Sequence, residues 1–203
     1  MTKALRFTIA FLGLYAGLIA IQHGIFESLQ GSRSPGGLLF NAIGPPCQSD
    51  AVWHACFPAV TLMPNLFVSG IAAILVGLGM AVWAAFYVER KRGGLVLGAL
   101  SILALLVGGG FVPVFIGLAA AAASILGRTP ARPTRLPFLA VLWPWPLVVM
   151  TLWLPGSWLL GHFFSAAMLA ASGLLFLVFD IGLPVLAVVS SATLFEQSKK
   201  QDD

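Results

Sequence analysis

The sequence predicts an all-α protein, a polytopic helical transmembrane bundle of about six spans. Three observations favour this fold. Hydrophobic residues make up 59% of the 203 residues and charged residues only 9%, whereas a soluble domain usually has about 25% charged residues. The apolar residues form long runs that suit a bilayer, and the charges gather between the runs. We therefore expect one transmembrane domain over residues 1–203, with the lipid bilayer as its main partner.

The first apolar run extends over about Leu5–Ile25, behind the basic residues Lys3 and Arg6. A signal peptide also starts this way, but this run is long for one and no clean small-residue cleavage site follows it. It is predicted to be an uncleaved first span. A second span is predicted over Leu66–Val88, where the charges of Glu89–Arg92 stop it.

The third apolar region, Gly93–Leu126, is too long for one ordinary span. It is interrupted by the three glycines of Gly108–Gly110 and by Pro113, which break a helix through backbone entropy and a missing N–H. Two short helices in a hairpin are therefore predicted. A re-entrant hairpin and a single span are the alternatives.

A fifth span is predicted over about Pro137–Leu154, after a polar tract that carries three arginines. The last apolar region, Trp158–Phe195, contains a potential kink at Pro184 and ends in the charged tail Glu196–Asp203.

The basic residues predict the orientation, because cytoplasmic loops carry an excess of lysine and arginine. With six spans, Arg33 alone falls on the outer side. Both termini are then cytoplasmic, as in a bacterial-type plasma membrane protein. The basic residues assigned to the cytoplasmic side are Lys3, Arg6, Arg90, Lys91, Arg92, Arg128, Arg132, Arg135, Lys199 and Lys200.

Residues 28–64 are predicted to form an extracytoplasmic loop or cap, since the segment is too short and too polar to hold its own core. Both cysteines, Cys47 and Cys56, lie in it. In an oxidising compartment they are expected to form a disulfide that closes a short loop. Free thiols or a redox pair are the alternatives.

The three histidines are all assigned to the outer side. His23 and Glu27 share one face of a continued first helix, His54 lies in the outer loop, and His162 lies where the last apolar region begins. One hypothesis is a metal or haem site built from these four residues. A proton-coupled His–Glu pair is another. The simpler interpretation is that all four are interfacial residues bonded to water, headgroups and the loop.

Asp180 lies inside an apolar segment, four residues before Pro184. An acid at the centre of a membrane helix costs about 2.5–3.5 kcal/mol on insertion scales, so it should face protein or a water-filled cavity. It is predicted to contact a substrate or ion, together with His23 and Glu27. The alternatives are a protonated acid that donates to a backbone carbonyl freed by Pro184, and an interfacial position.

The remaining tryptophans and glycines suggest packing. Trp143, Trp145, Trp153 and Trp158 are predicted to be interfacial anchors or packing residues. Close helix contacts are predicted at Gly70, Gly77, Gly79 and the run Ala119–Ala123.

No phosphate-loop, zinc-protease, hydrolase or kinase signature is present in the sequence, so we expect a protein that is not an enzyme. The chemistry requires no cofactor, and nucleic acid is not an expected partner. Three functions stay open: a small transporter-like protein or subunit of a membrane complex, an accessory subunit without its own site, and a metal- or haem-binding membrane protein. Partner membrane subunits or a homo-oligomer fit the first two.

Overall fold

The computed structural model describes residues 1–41, 58–127 and 137–202, and most of them are helical, as predicted. Two short antiparallel strands, β1 (Leu39–Asn41) and β2 (Pro58–Val60), add to the helices. A 3₁₀ helix covers Pro137–Leu142 and a π-helical segment covers Phe176–Gly182. The α-helices are α1 (Lys3–Leu29), α2 (Leu66–Phe86), α3 (Gly93–Leu106), α4 (Phe111–Leu126), α5 (Trp145–Phe163), α6 (Ser165–Ala170), α7 (Ser172–Leu175) and α8 (Leu183–Asp202).

Four helical stretches of the described chain are long and apolar enough to cross a membrane. They are Lys3–Leu29, Leu66–Phe86, Phe138–Phe163 and Ser172–Thr193. Helices α3 and α4 are also apolar but shorter, with 14 and 16 residues. The prediction of an integral membrane protein is consistent with these stretches.

Helices α1 and α2 pack against each other in opposite directions through glycines. A Cβ atom placed at Gly17 would lie 2.5 Å from the carbonyl oxygen of Gly77, and one placed at Gly24 would lie 2.5 Å from that of Gly70. Side chains would hold the two backbones apart, so close packing requires glycine here. The predicted contacts of Gly70 and Gly77 are confirmed. The one at Gly79 is wrong, because a Cβ there would meet nothing within 4 Å.

Helices α3 and α4 form the hairpin that the glycine run predicts. Gly94 packs near the end of α4, where an added Cβ would lie 2.9 Å from the carbonyl oxygen of Ala121. The chain reverses over residues 107–110, with φ of +92° at Gly108 and +83° at Gly110. L-residues with side chains rarely adopt such values, which explains why glycines occupy the turn.

Helix α5 corrects the predicted end of the fifth span. It continues through Pro155 to Phe163, nine residues beyond the predicted end at Leu154. Pro155 removes one backbone hydrogen bond, which an apolar helix among other helices can tolerate. The last apolar region consequently starts at the short helices α6 and α7 rather than at Trp158.

The irregularity predicted at Pro184 takes the form of the π-helical segment just before it. Pro184 has no N–H, so the carbonyl of Asp180, four residues earlier, cannot receive the usual α-helical bond. The wider π turn accommodates this: the N–H of Leu183 bonds to the carbonyl of Val178, five residues earlier. Single π-helical turns are common at functional sites, and Asp180 lies in this one.

Contacts between distant parts of the chain mark the two ends of the helical bundle. At one end, Arg6 forms a salt bridge with Glu89 (2.8 Å), and the indole N–H of Trp143 donates to Thr8 Oγ1 (3.0 Å). At the other end, Thr61 pairs with Val107 at the tip of the α3–α4 hairpin. The core between the ends contains fully buried residues of α1 to α5, including Ile9, Leu12, Met80, Leu97, Ile116 and Met150.

Candidate functional site

A cavity of about 460 Å³ lies between α1, α4, α5, α7 and the π-helical segment. This volume falls in the range of about 300–1,000 Å³ that is typical of small-molecule sites. Most of its wall is apolar, and much of that wall is aromatic. The Phe and Trp residues that line it are Phe26, Phe111, Phe115, Trp153, Trp158 and Phe176.

The aromatic rings of the wall are held in place by contacts with other rings. Trp158 of α5 stacks on Phe26 of α1, with 5.6 Å between ring centroids. Trp153 stacks on Phe179 of the π-helical segment at 3.7 Å and 11° between planes. Phe115 of α4 meets Phe176 edge to face at 5.7 Å. These pairs connect the helices around the cavity, so its shape is largely preformed.

Two of the predicted site residues, His23 and Asp180, line this one cavity. They come from α1 and from the π-helical segment, 157 positions apart (180 − 23). His23 is 5% exposed, and Asp180 is half-buried. Tyr15 also lines the wall, but its hydroxyl donates to the carbonyl of Met150 (3.1 Å). The structure therefore places an imidazole and a carboxylate in the wall of one mostly apolar cavity.

The carboxylate of Asp180 has no hydrogen bond or ion pair within the part of the chain that the structure describes. The bond that a protonated Asp180 would donate to a backbone carbonyl freed by Pro184 stays a prediction. No Lys or Arg occurs among the described residues that line the cavity. A carboxylate so placed is costly unless a bound group or a proton compensates it.

Glu27 lies one turn beyond His23 on α1 and is fully buried, behind the cavity wall rather than in it. Both of its carboxylate oxygens are buried without a hydrogen-bond partner among the described residues. The hydroxyl of Ser69 lies close to the carboxylate but donates to the carbonyl of Val107 (3.0 Å). The predicted face shared by His23 and Glu27 is therefore confirmed, and its two residues have different surroundings.

The glycine turn of the α3–α4 hairpin packs against both residues. A Cβ placed at Gly110 would lie 2.6 Å from Cε1 of the His23 ring, and one placed at Gly108 would overlap the carboxylate of Glu27. Since neither glycine could carry a side chain here, the turn fixes the positions of His23 and Glu27.

Of the other predicted site residues, His162 is described and does not line this cavity. His162 is exposed near the end of α5, with its ring edge to face against Phe163 (5.0 Å). His54, Cys47 and Cys56 lie outside the described residues. Within residues 1–41, 58–127 and 137–202, no group of three or more His, Cys, Asp or Glu side chains could hold a metal ion. The four-residue metal or haem site and the disulfide remain predictions.

Several cavity residues were not predicted from the sequence. No role was predicted for Tyr15 or Ser157, and Trp153 and Trp158 were expected only to be anchors or packing residues. A helical-face argument could have found Tyr15, because Tyr15, Ile19 and His23 follow one another at intervals of four residues on α1. Ser157 and the aromatic residues of α5 carry no such signal.

Comparison with known protein families, curated proteins and solved structures found no significant match for this chain. The site must accordingly be interpreted from its own chemistry.

Proposed function

We propose that this chain is a multi-pass membrane protein that binds a small, largely apolar organic molecule in its cavity. It would act as a transporter or as the ligand-binding subunit of a membrane complex. The observation that carries the proposal is the preformed aromatic cavity with the carboxylate of Asp180 in its wall. Concave, mostly apolar spaces with a few converging polar groups are typical of small-molecule sites.

Broken helices around the cavity support a transporter-like function. The π-helical segment that holds Asp180 and the hairpin turn at Gly108–Gly110 both interrupt regular helix near the site. Transporters often place substrate sites where membrane helices are discontinuous, and ionisable residues in membrane segments often mark substrate or ion pathways. A purely accessory protein would need neither feature.

We also propose a topology of six spans with both termini cytoplasmic. Helices α3 and α4 rise about 21 and 24 Å at 1.5 Å per residue, less than the roughly 30 Å of a hydrocarbon core. The hairpin tip would then lie below the outer surface, under the cap formed by Thr61 and its neighbours. The cytoplasmic assignment rests on the basic residues around Arg6 and Arg90.

Thiol labelling of whole cells tests this topology. In a Cys47→Ser, Cys56→Ser background, an impermeant maleimide should label Arg33→Cys from outside. It should label Lys91→Cys and Leu126→Cys only after the membrane is opened. Labelling of Lys91→Cys in intact cells would contradict the orientation. Labelling of Leu126→Cys but not of Lys91→Cys in intact cells would instead indicate that α3 and α4 form a single span.

The binding function is tested by filling the cavity. Ser157 lines the cavity and is 6% exposed, so Ser157→Leu should replace its hydroxyl by three carbon atoms and take up part of the space for the ligand. Gly156→Leu is the matched control, because a Cβ at Gly156 meets nothing within 4 Å and this residue does not line the cavity. Binding to Ser157→Leu should be weaker by about tenfold or more, with Gly156→Leu close to the original protein.

Binding can be measured by quenching of tryptophan fluorescence in lipid nanodiscs. Three brominated probes of similar shape are used. They are the cation 4-bromobenzyltrimethylammonium, its neutral carbon isostere 4-bromoneopentylbenzene, and the anion (4-bromophenyl)methanesulfonate. At least one should give saturable quenching through Trp153 and Trp158, after correction for partitioning into nanodiscs without protein. No saturable quenching by any probe, or equal binding by Ser157→Leu, would contradict the proposed function and favour an accessory protein without its own site.

A further inference from the structure

The chemistry of the cavity also restricts the class of ligand, provided that the proposed binding function holds. The starting point is the carboxylate of Asp180, which has no partner within the described residues. The two other titratable groups of the wall do not neutralise it. The hydroxyl of Tyr15 donates to the carbonyl of Met150 (3.1 Å), and among the described residues no ion pair joins His23 to Asp180.

The aromatic residues of the wall favour a positive charge as well. Trp153, Trp158 and Phe115 line the cavity and are fixed by ring contacts with Phe179, Phe26 and Phe176. Tryptophan is the best aromatic partner for a cation, and the interaction strengthens when water is excluded. The same rings provide apolar surface for the rest of a ligand.

Other ligand classes fit less well. A hard metal cation such as Ca²⁺ takes six to eight oxygen ligands, and the described wall offers one carboxylate, one imidazole and a few hydroxyl and amide groups. An anion would face Asp180 with no Lys or Arg among the described lining residues to compensate it. A neutral molecule would leave the carboxylate to be compensated by a proton alone, with no attraction between ligand and Asp180 from opposite charges.

We infer that the cavity binds a small lipophilic organic cation: an ammonium or similar group that carries aromatic or alkyl substituents. The charged group faces Asp180, and the substituents lie among the rings of Phe115, Trp153 and Trp158. Both the counter-charge and the apolar contacts are then satisfied by one molecule that fits a cavity of about 460 Å³.

The three brominated probes separate this inference from the proposed function. In nanodiscs, 4-bromobenzyltrimethylammonium should bind about tenfold or more tightly than its neutral isostere, and the sulfonate should bind most weakly. Asp180→Asn should reduce the preference for the cation to about threefold or less. The Asp180→Asn variant should still bind the neutral isostere, and this binding would show that the variant is folded.

The matched control is Glu89→Gln, which also neutralises one carboxylate. Glu89 is exposed and pairs with Arg6 at the end of the bundle away from the hairpin tip, so its variant should keep the full preference. Equal binding of cation and neutral isostere by the original protein would overturn the inference and leave the proposed function standing. Full preference of the Asp180→Asn variant for the cation over the neutral isostere would also overturn the inference and leave the proposed function standing. Absence of saturable binding by all three probes would overturn both.

Discussion

Substitution of Gly77 by leucine is expected to lower the free energy of unfolding by about 3 kcal/mol or more, the upper range for overpacked cores. Gly77 lies at one of the close contacts between α1 and α2. An added Cβ would lie 2.7 Å from the carbonyl oxygen of Gly17 and 3.0 Å from Cγ1 of Ile21. The clash is with backbone, which cannot rotate away, so the two helices must separate along their length.

Gly79→Leu is the matched control for this prediction, two residues along the same helix. A Cβ at Gly79 meets nothing within 4 Å, and leucine has a higher helix propensity than glycine. The midpoint of thermal unfolding in detergent should fall sharply for Gly77→Leu and should stay the same or rise for Gly79→Leu. Equal midpoints for both variants would contradict the packing of α1 against α2.

Gly108→Ala should also destabilise the protein, by about 3 kcal/mol. Roughly 1–2 kcal/mol comes from placing an L-residue in a left-handed conformation, since φ is +92° at Gly108. The remainder comes from the carboxylate of Glu27, whose Cδ would lie 2.7 Å from the new Cβ. Since the turn also packs on His23, we expect weaker ligand binding to accompany the loss of stability.

Two further variants separate these contributions. Gly36→Ala introduces the same kind of strain at φ +75° with nothing within 4 Å, so it should cost only about 1–2 kcal/mol. In a double-mutant cycle, Glu27→Ala should relieve part of the effect of Gly108→Ala, with a coupling energy of about 1 kcal/mol or more. A purely additive double mutant would show that Glu27 does not contact the turn.

The helices could be predicted from the sequence where local chemistry determines them. Long apolar runs ended by charges located α1 and α2, and the Gly108–Gly110 run located the break between α3 and α4. The same logic failed at Pro155, because a local rule treats proline as a helix end while packing in an apolar bundle maintains the helix to Phe163. The irregular turn before Pro184 was foreseen, but not that it would be a π-helical segment.

The candidate site could be predicted only in part. Asp180 stood out because ionisable groups are expensive in apolar segments, and His23 because it shares a helical face with Glu27. That both residues line one cavity depends on how α1 packs relative to the π-helical segment, which no local sequence pattern encodes. Ser157 and Trp153 belong to the site for the same reason: α5 brings them to the wall, and their residue types are common in any apolar helix.

A crystal structure of the complex with 4-bromobenzyltrimethylammonium would show whether a ligand occupies the cavity. The anomalous scattering of bromine marks the ligand without reference to any assumed position. We predict a bromine peak among the rings of Phe115, Trp153 and Trp158, with the ammonium group facing Asp180. Bromine peaks confined to the lipid-facing surface, with none inside the cavity at saturating concentration of the probe, would contradict the proposed site.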